Sequence, residues 1–216
     1  MKSLYGVALA AACATGASAD FVGVVGGQTN VDLNFELIAA ATGLEFAGLS
    51  DGVIVPGNLG KGSVAFAITS PFASELPTSF SYDTDDFFGT FSGSIEHRGS
   101  VMFGGAADVT VGNFSVAYDA AAGFQVIDNI DLGVAMFDIS ISKADAQAST
   151  FDVIGDLLIA NQFATLLIEL GLTDADLTGT DVGDAWLQGL NQPVPGPGVL
   201  AAFAVAGITA RRRRRG

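Results

Sequence analysis

The chain has 216 residues, a net charge of −14 and a single cysteine. All 23 acidic residues fall between Asp20 and Asp184, where only Lys61, Arg98 and Lys143 oppose them, a local net charge of −20. Such a surface repels nucleic acid and anionic membranes, and the lone Cys13, set in an N-terminal apolar run, excludes a disulfide framework or thiolate chemistry in the rest of the chain.

That N-terminal run reads as a secretory signal peptide. Lys2 precedes an apolar stretch from Leu4 to Ala14, and Ala17-Ser18-Ala19 stands before Asp20. Small residues at the last and third-last positions fit the signal peptidase groove, so cleavage is expected between Ala19 and Asp20. Lipidation at Cys13 is not expected, because Ala10-Ala11-Ala12 lacks the leucine that such processing uses.

From residue 20 to 192 we expect one acidic domain of about 175 residues, long enough for a single core. Short apolar alternations are separated by Gly, Asn, Asp, Ser and Pro. Val31, Leu33, Phe35 and Leu37 alternate with Asp32, Asn34 and Glu36, and Val64, Phe66 and Ile68 alternate with small residues. Phe137, Ile139 and Ile141 alternate with Asp138, Ser140 and Ser142. Period two in many short runs predicts a mainly β fold, an antiparallel, jelly-roll-like β-sandwich.

Asp83, Asp85 and Asp86 offer hard oxygen ligands that suit calcium, or equally solvate a loop or start a short helix. Glu96-His97-Arg98 lies on a predicted strand, with Ile95 and His97 on one face and Glu96 and Arg98 on the other. A lone histidine without a G-x-S-x-G nucleophile reads as a strand residue bonded to a neighbour. In the run from Val109 to Tyr118 the apolar parity flips across Gly112-Asn113. This predicts a β-bulge with glycine supplying the unusual backbone angle, or a turn between two short strands.

One amphipathic helix is expected near 160–170. Ile159, Phe163, Leu166, Leu167 and Leu170 share a face, Asn161 could cap the start, and Gly171 sits where helices end. Beyond it, Asp174, Asp176, Thr178 and Gly179 echo a calcium loop, but position twelve is Ala185 in place of the bidentate acid. These acids therefore read first as turn caps. Among 23 acids some pair always lies close, and a single tryptophan gives little sugar-stacking surface, so a glycosidase is not indicated.

The tail from 193 to 216 has three parts. Val194, Pro195, Gly196 and Pro197 break the backbone, and twelve apolar residues from Val199 to Ala210 come next. Arg211, Arg212, Arg213, Arg214 and Arg215 then stand in a row. As a C-terminal hydrophobic helix the apolar part spans about 18 Å, short of about 30 Å of hydrocarbon, which predicts a transient membrane insertion. The arginines favour the cytoplasmic side, leaving the body outside.

In these residues the chain resembles PEP-CTERM envelope proteins of bacteria, which carry a Val-Pro-Glu-Pro-like motif, a short apolar helix and an arginine cluster. The one departure is Gly196 in place of the motif's glutamate. The body is also similar to bodies of that class over Asp51–Ile68, Phe91–Val101, Val109–Asp119 and Leu172–Ala185. The resemblance implies recognition and removal of the tail by a membrane exosortase, and brings no catalytic residues.

The expectation is an exported, non-enzymatic protein of the cell envelope or extracellular matrix, without catalytic site, cofactor or resident metal. Signal peptidase and an exosortase-type protease are its expected partners, with extracellular polysaccharide a further one and nucleic acid excluded. The alternative is a surface-displayed carbohydrate- or calcium-dependent adhesion module.

Overall fold

The computed structural model describes residues 21–194. The signal-cleavage residues Ala17, Ala19 and Asp20 lie outside the described residues, as do Pro195, Gly196, Pro197, the apolar segment and the arginine cluster.

The chain order is β1 (Phe21–Leu33), α1 (Phe35–Thr42), β2 (Leu44–Leu49), β3 (Val64–Ile68), β4 (Ser81–Asp83), α2 (Phe87–Thr90), β5 (Ile95–Arg98), β6 (Ser100–Gly105), β7 (Val109–Gly112), β8 (Ser115–Asp119), β9 (Gly123–Ile127), β10 (Ala135–Ala146), β11 (Thr150–Ile159), α3 (Asn161–Glu169) and β12 (Asp181–Pro193). The β-rich, antiparallel character expected from the alternation is present, but the sandwich is not. Strands run in the order β12-β11-β10-β9-β8-β5-β3-β1, and β1 pairs again with β12, closing an eight-stranded barrel. β4 joins the start of β1, and β2, β6 and β7 form a separate sheet of three.

Closure rests on the two longest strands, which pair from Val22↔Pro193 to Leu33↔Gly183. They bend around the barrel at Gly27 (φ 121°) and Gly183 (φ 150°), where a Cβ would run into the carbonyl oxygens of Gln188 and Asp32 respectively. Only glycine tolerates both the angle and the approach. Alternation alone cannot separate a sandwich from a barrel, because both put every second residue inside. What decides is whether the first and last strands meet.

Two apolar clusters fill the two ends. At one, Leu44, Val101 and Val111 of the three-stranded sheet pack with Phe137 and Leu157 of the barrel and Leu167 of α3. At the other, Phe80, Tyr82, Phe87 and Phe151 pack with Val22 and Val24 of β1. Ser140 and Asp184 on the outer face are exposed, and Asp138, Asp152 and Gln188 partly so. Apolar residues inside and polar ones outside is the reverse of a lipid-embedded barrel. Among the described residues no helix is long and apolar enough to cross a membrane.

Three local expectations need correction. Val31 and Leu33 belong to β1, but Phe35 and Leu37 lie in α1. Asn34 Oδ1 accepts from the Leu37 N–H at 3.0 Å, a side-chain cap that starts the helix and ends the strand. The expected single helix is thus joined by α1 and the short α2. The parity flip after Val111 is not a bulge: β7 pairs with β6 and β8 with β5 and β9, so the chain changes sheet there. The turn reading holds, and Asn113 (φ 47°) carries the left-handed angle.

The helix near 160–170 is present as α3, although Ile159 ends β11 and Ala160, not Asn161, precedes the first turn without a side-chain cap. Its end is as expected. Gly171 (φ 70°) donates to the Ile168 carbonyl and Leu172 to that of Leu167, each at 2.9 Å, closing the helix with a Schellman pair.

Candidate functional site

Inside the barrel, between the two clusters, lies a cavity of about 90 Å³. Its walls are aliphatic and aromatic, among them Val31, Phe66, Met136, Leu157, Ala185 and Leu187. The polar side chains that line it are Thr29 of β1 and His97 of β5. Thr29 shares its inward parity with Val31 and Leu33, and His97 shares its own with Ile95, as the strand alternation requires.

Thr29 Oγ1 and His97 Nε2 are 2.7 Å apart, and His97 Nδ1 is 3.0 Å from the Phe114 carbonyl oxygen. A carbonyl only accepts, so Nδ1 carries the proton and Nε2 accepts from the threonine hydroxyl. Burial disfavours the imidazolium and pushes the pKa from 6.5 to about 4, with the bond to Phe114 opposing. A base this weak has little pull on the Thr29 proton at neutral pH. The pair is a satisfied core contact, as the sequence suggested for His97.

The outer face of the same strand holds a buried acid. Glu96 accepts from the hydroxyls of Ser94 and Ser115, and its backbone N–H donates to Thr78 Oγ1 at 3.0 Å. Arg98 is exposed. Asp128 is fully buried and bonds only to backbone: Oδ1 takes the Gly112 N–H at 2.6 Å, and Oδ2 takes that of Leu132 at 2.7 Å. At the aromatic end Asn191 Nδ2 donates to Tyr82 Oη at 2.7 Å and to the Gln147 carbonyl at 2.8 Å. The Asn191 Oδ1 atom is buried without a partner.

The calcium candidates fall in turns. Asp83 Oδ1 accepts from the Asp85 N–H at 2.9 Å, and Asp86 caps α2 through the Gly89 N–H at 3.1 Å. Asp176 Oδ1 accepts from both the hydroxyl and the N–H of Thr178, at 2.6 and 3.0 Å, and these bonds lower its pKa. Asp174 lies in the same loop, and Asp181 and Asp184 lie within β12. Among the described residues no group of three or more His, Cys, Asp or Glu is placed to hold a metal. Of the sorting motif, Val194 is described: its N–H donates to the Phe21 carbonyl at 2.8 Å.

The sequence pointed to His97 but missed its partner Thr29, as well as Asp128 and the Tyr82–Asn191 pair. Thr29 was readable as a polar residue at an inward position of β1. Asn191 gave no local signal, since its partners come from distant segments, and Asp128 reads locally as an ordinary turn acid because its bond to Gly112 spans 16 residues.

No family model matches this sequence, and no curated protein matches it. In fold, the chain is similar to the crystal structure of the C-terminal domain of HtaA from Corynebacterium glutamicum. The TM-score is 0.53 at 14% identity, and the alignment covers 79% of this chain and 99% of that one. At that identity the likeness is one of architecture.

Proposed function

We propose that this is an exported protein of the cell envelope or extracellular matrix, processed at both ends, whose acidic barrel has a structural rather than a catalytic role. The observation that carries this reading is the bond from Val194 to Phe21 at 2.8 Å. Both ends of the barrel leave from one place, just inside the two expected cleavage sites. Cutting after Ala19 and near Pro195-Gly196-Pro197 would remove nothing that the β1–β12 ladder uses. The tail would then hold the chain in the membrane until an exosortase-type protease acts.

The test is the intact mass of the protein from its native host. A mass lacking residues 1–19 and everything after about Pro195 is expected. A mass that keeps Arg211 to Arg215 would overturn the processing step.

A second reading, a carbohydrate-binding adhesion module, is favoured by Phe88 and Tyr118, 71% and 52% exposed at the aromatic end. It requires that an envelope polysaccharide retard the protein on a native gel, and that Phe88→Ala abolish the retardation.

A further inference from the structure

We infer that the barrel interior is a binding site for a small, uncharged, apolar molecule of the size of a short unbranched alkane. The inference goes beyond the envelope role and does not depend on it. An eight-stranded barrel is either just filled by its own side chains or left with room for one small ligand. Here the side chains leave about 90 Å³. An apolar cavity of about 150 Å³ takes benzene with its six carbons, so the space suits a guest of roughly four or five non-hydrogen atoms.

The walls decide the chemistry of the guest. Buried water needs two to four polar partners, and Thr29 and His97 are already bonded to each other and to the Phe114 carbonyl. Water therefore gains little inside, whereas an apolar guest recovers dispersion contacts with the walls. A charged guest is excluded, because no charged side chain lines the cavity to replace its lost hydration. The oxygen of Thr29 and the ring nitrogens of His97 present no surface to the cavity, so a guest hydroxyl would find no partner there and a purely apolar guest is favoured.

The experiment uses the full chain in nanodiscs of perdeuterated lipid, with n-pentane and its polar isostere 1-butanol as probes. Magnetisation transfer from probe protons to the His97 ring and the Ala185 methyl reports occupancy of the barrel alone. n-Pentane should give saturable transfer, and 1-butanol should bind about tenfold more weakly, because its hydroxyl finds no partner inside. Ala185→Phe, which places a ring in the cavity, should abolish transfer from both. Absence of transfer at saturating n-pentane, or unchanged transfer in a folded Ala185→Phe, would overturn the site. Equal or tighter binding of 1-butanol would overturn its apolar character. Should Ala185→Phe not fold, Leu157→Ala decides: the enlarged cavity must accept benzene, and failure to do so overturns the inference.

Discussion

Thr29 Oγ1 and His97 Nε2 stand 2.7 Å apart inside the barrel, although 68 residues separate them in the chain. The bond crosses β3, which lies between β1 and β5. It ties the first strand of the barrel to the wall formed by β5 and β8, where burial keeps the imidazole neutral.

That neutrality has a pH signature. With a pKa of about 4 folded against 6.5 as the reference, the unfolded state binds a proton between those values while the native state does not. Stability is then fully present above about pH 6.5, falls as the pH drops, and levels off below the native value. At pH 4.5 the loss is about 2 to 3 kcal/mol. Urea midpoints for the wild type and His97→Leu at pH 7.5 and 4.5 isolate it, since repulsion among the acids is common to both. The wild-type advantage should shrink by that amount, and a difference independent of pH would refute the buried neutral imidazole.

Asp128 joins the crossover at Gly112 to the turn at Leu132 through two carboxylate oxygens. Asp128→Asn replaces one acceptor by an amide that faces a buried N–H. The expected cost is about 2 kcal/mol or more, because the orphaned donor bears its full desolvation penalty. Urea unfolding measures it, and a change under about 0.5 kcal/mol would mean the turn is held by other contacts.

Burial raises the Tyr82 hydroxyl from 10.0 to about 12, with the Asn191 bond pulling it down and the charge of Asp145 pushing it up. Between those values the unfolded chain gives up the proton while the native chain keeps it. Stability should therefore fall as the pH rises from 10 to 12. Subtracting the tyrosinate absorbance of Tyr82→Phe from that of the wild type isolates this group. The difference should rise near pH 12, and a rise near 10 would place the ring in solvent.

Much of this molecule is legible in its sequence, and what is not has a common cause. The strands at 64–68 and 135–146, the helix ended by Gly171 and the inward parity of His97 all derive from local periodicity. Phe35 and Leu37 continued the alternation of β1, yet the Asn34 cap and the alanines behind it made a helix, so local capping overrode the pattern. The barrel itself was beyond reach. Val22 meets Pro193 and Leu33 meets Gly183 across nearly the whole chain, and no local pattern specifies which strand a given edge will find. The cavity shares that origin, because it exists only once the ring is closed.

Closure can be tested at adjacent glycines of β1. Gly27 has φ 121°, and a Cβ there would enter the backbone of β12 at Gln188 and Gly189. Gly26, one residue earlier, has nothing within 4 Å of the same added atom. Gly27→Ala should therefore cost about 3 kcal/mol or prevent folding, as strain at a special backbone angle combines with a backbone clash. Gly26→Ala should change stability by less than about 1 kcal/mol, since removing backbone freedom from the unfolded chain offsets any small loss. Thermal unfolding of the two variants side by side gives the comparison. If the two alanines cost the same, β1 does not wrap against β12 as described, and the sheet would be open on that side.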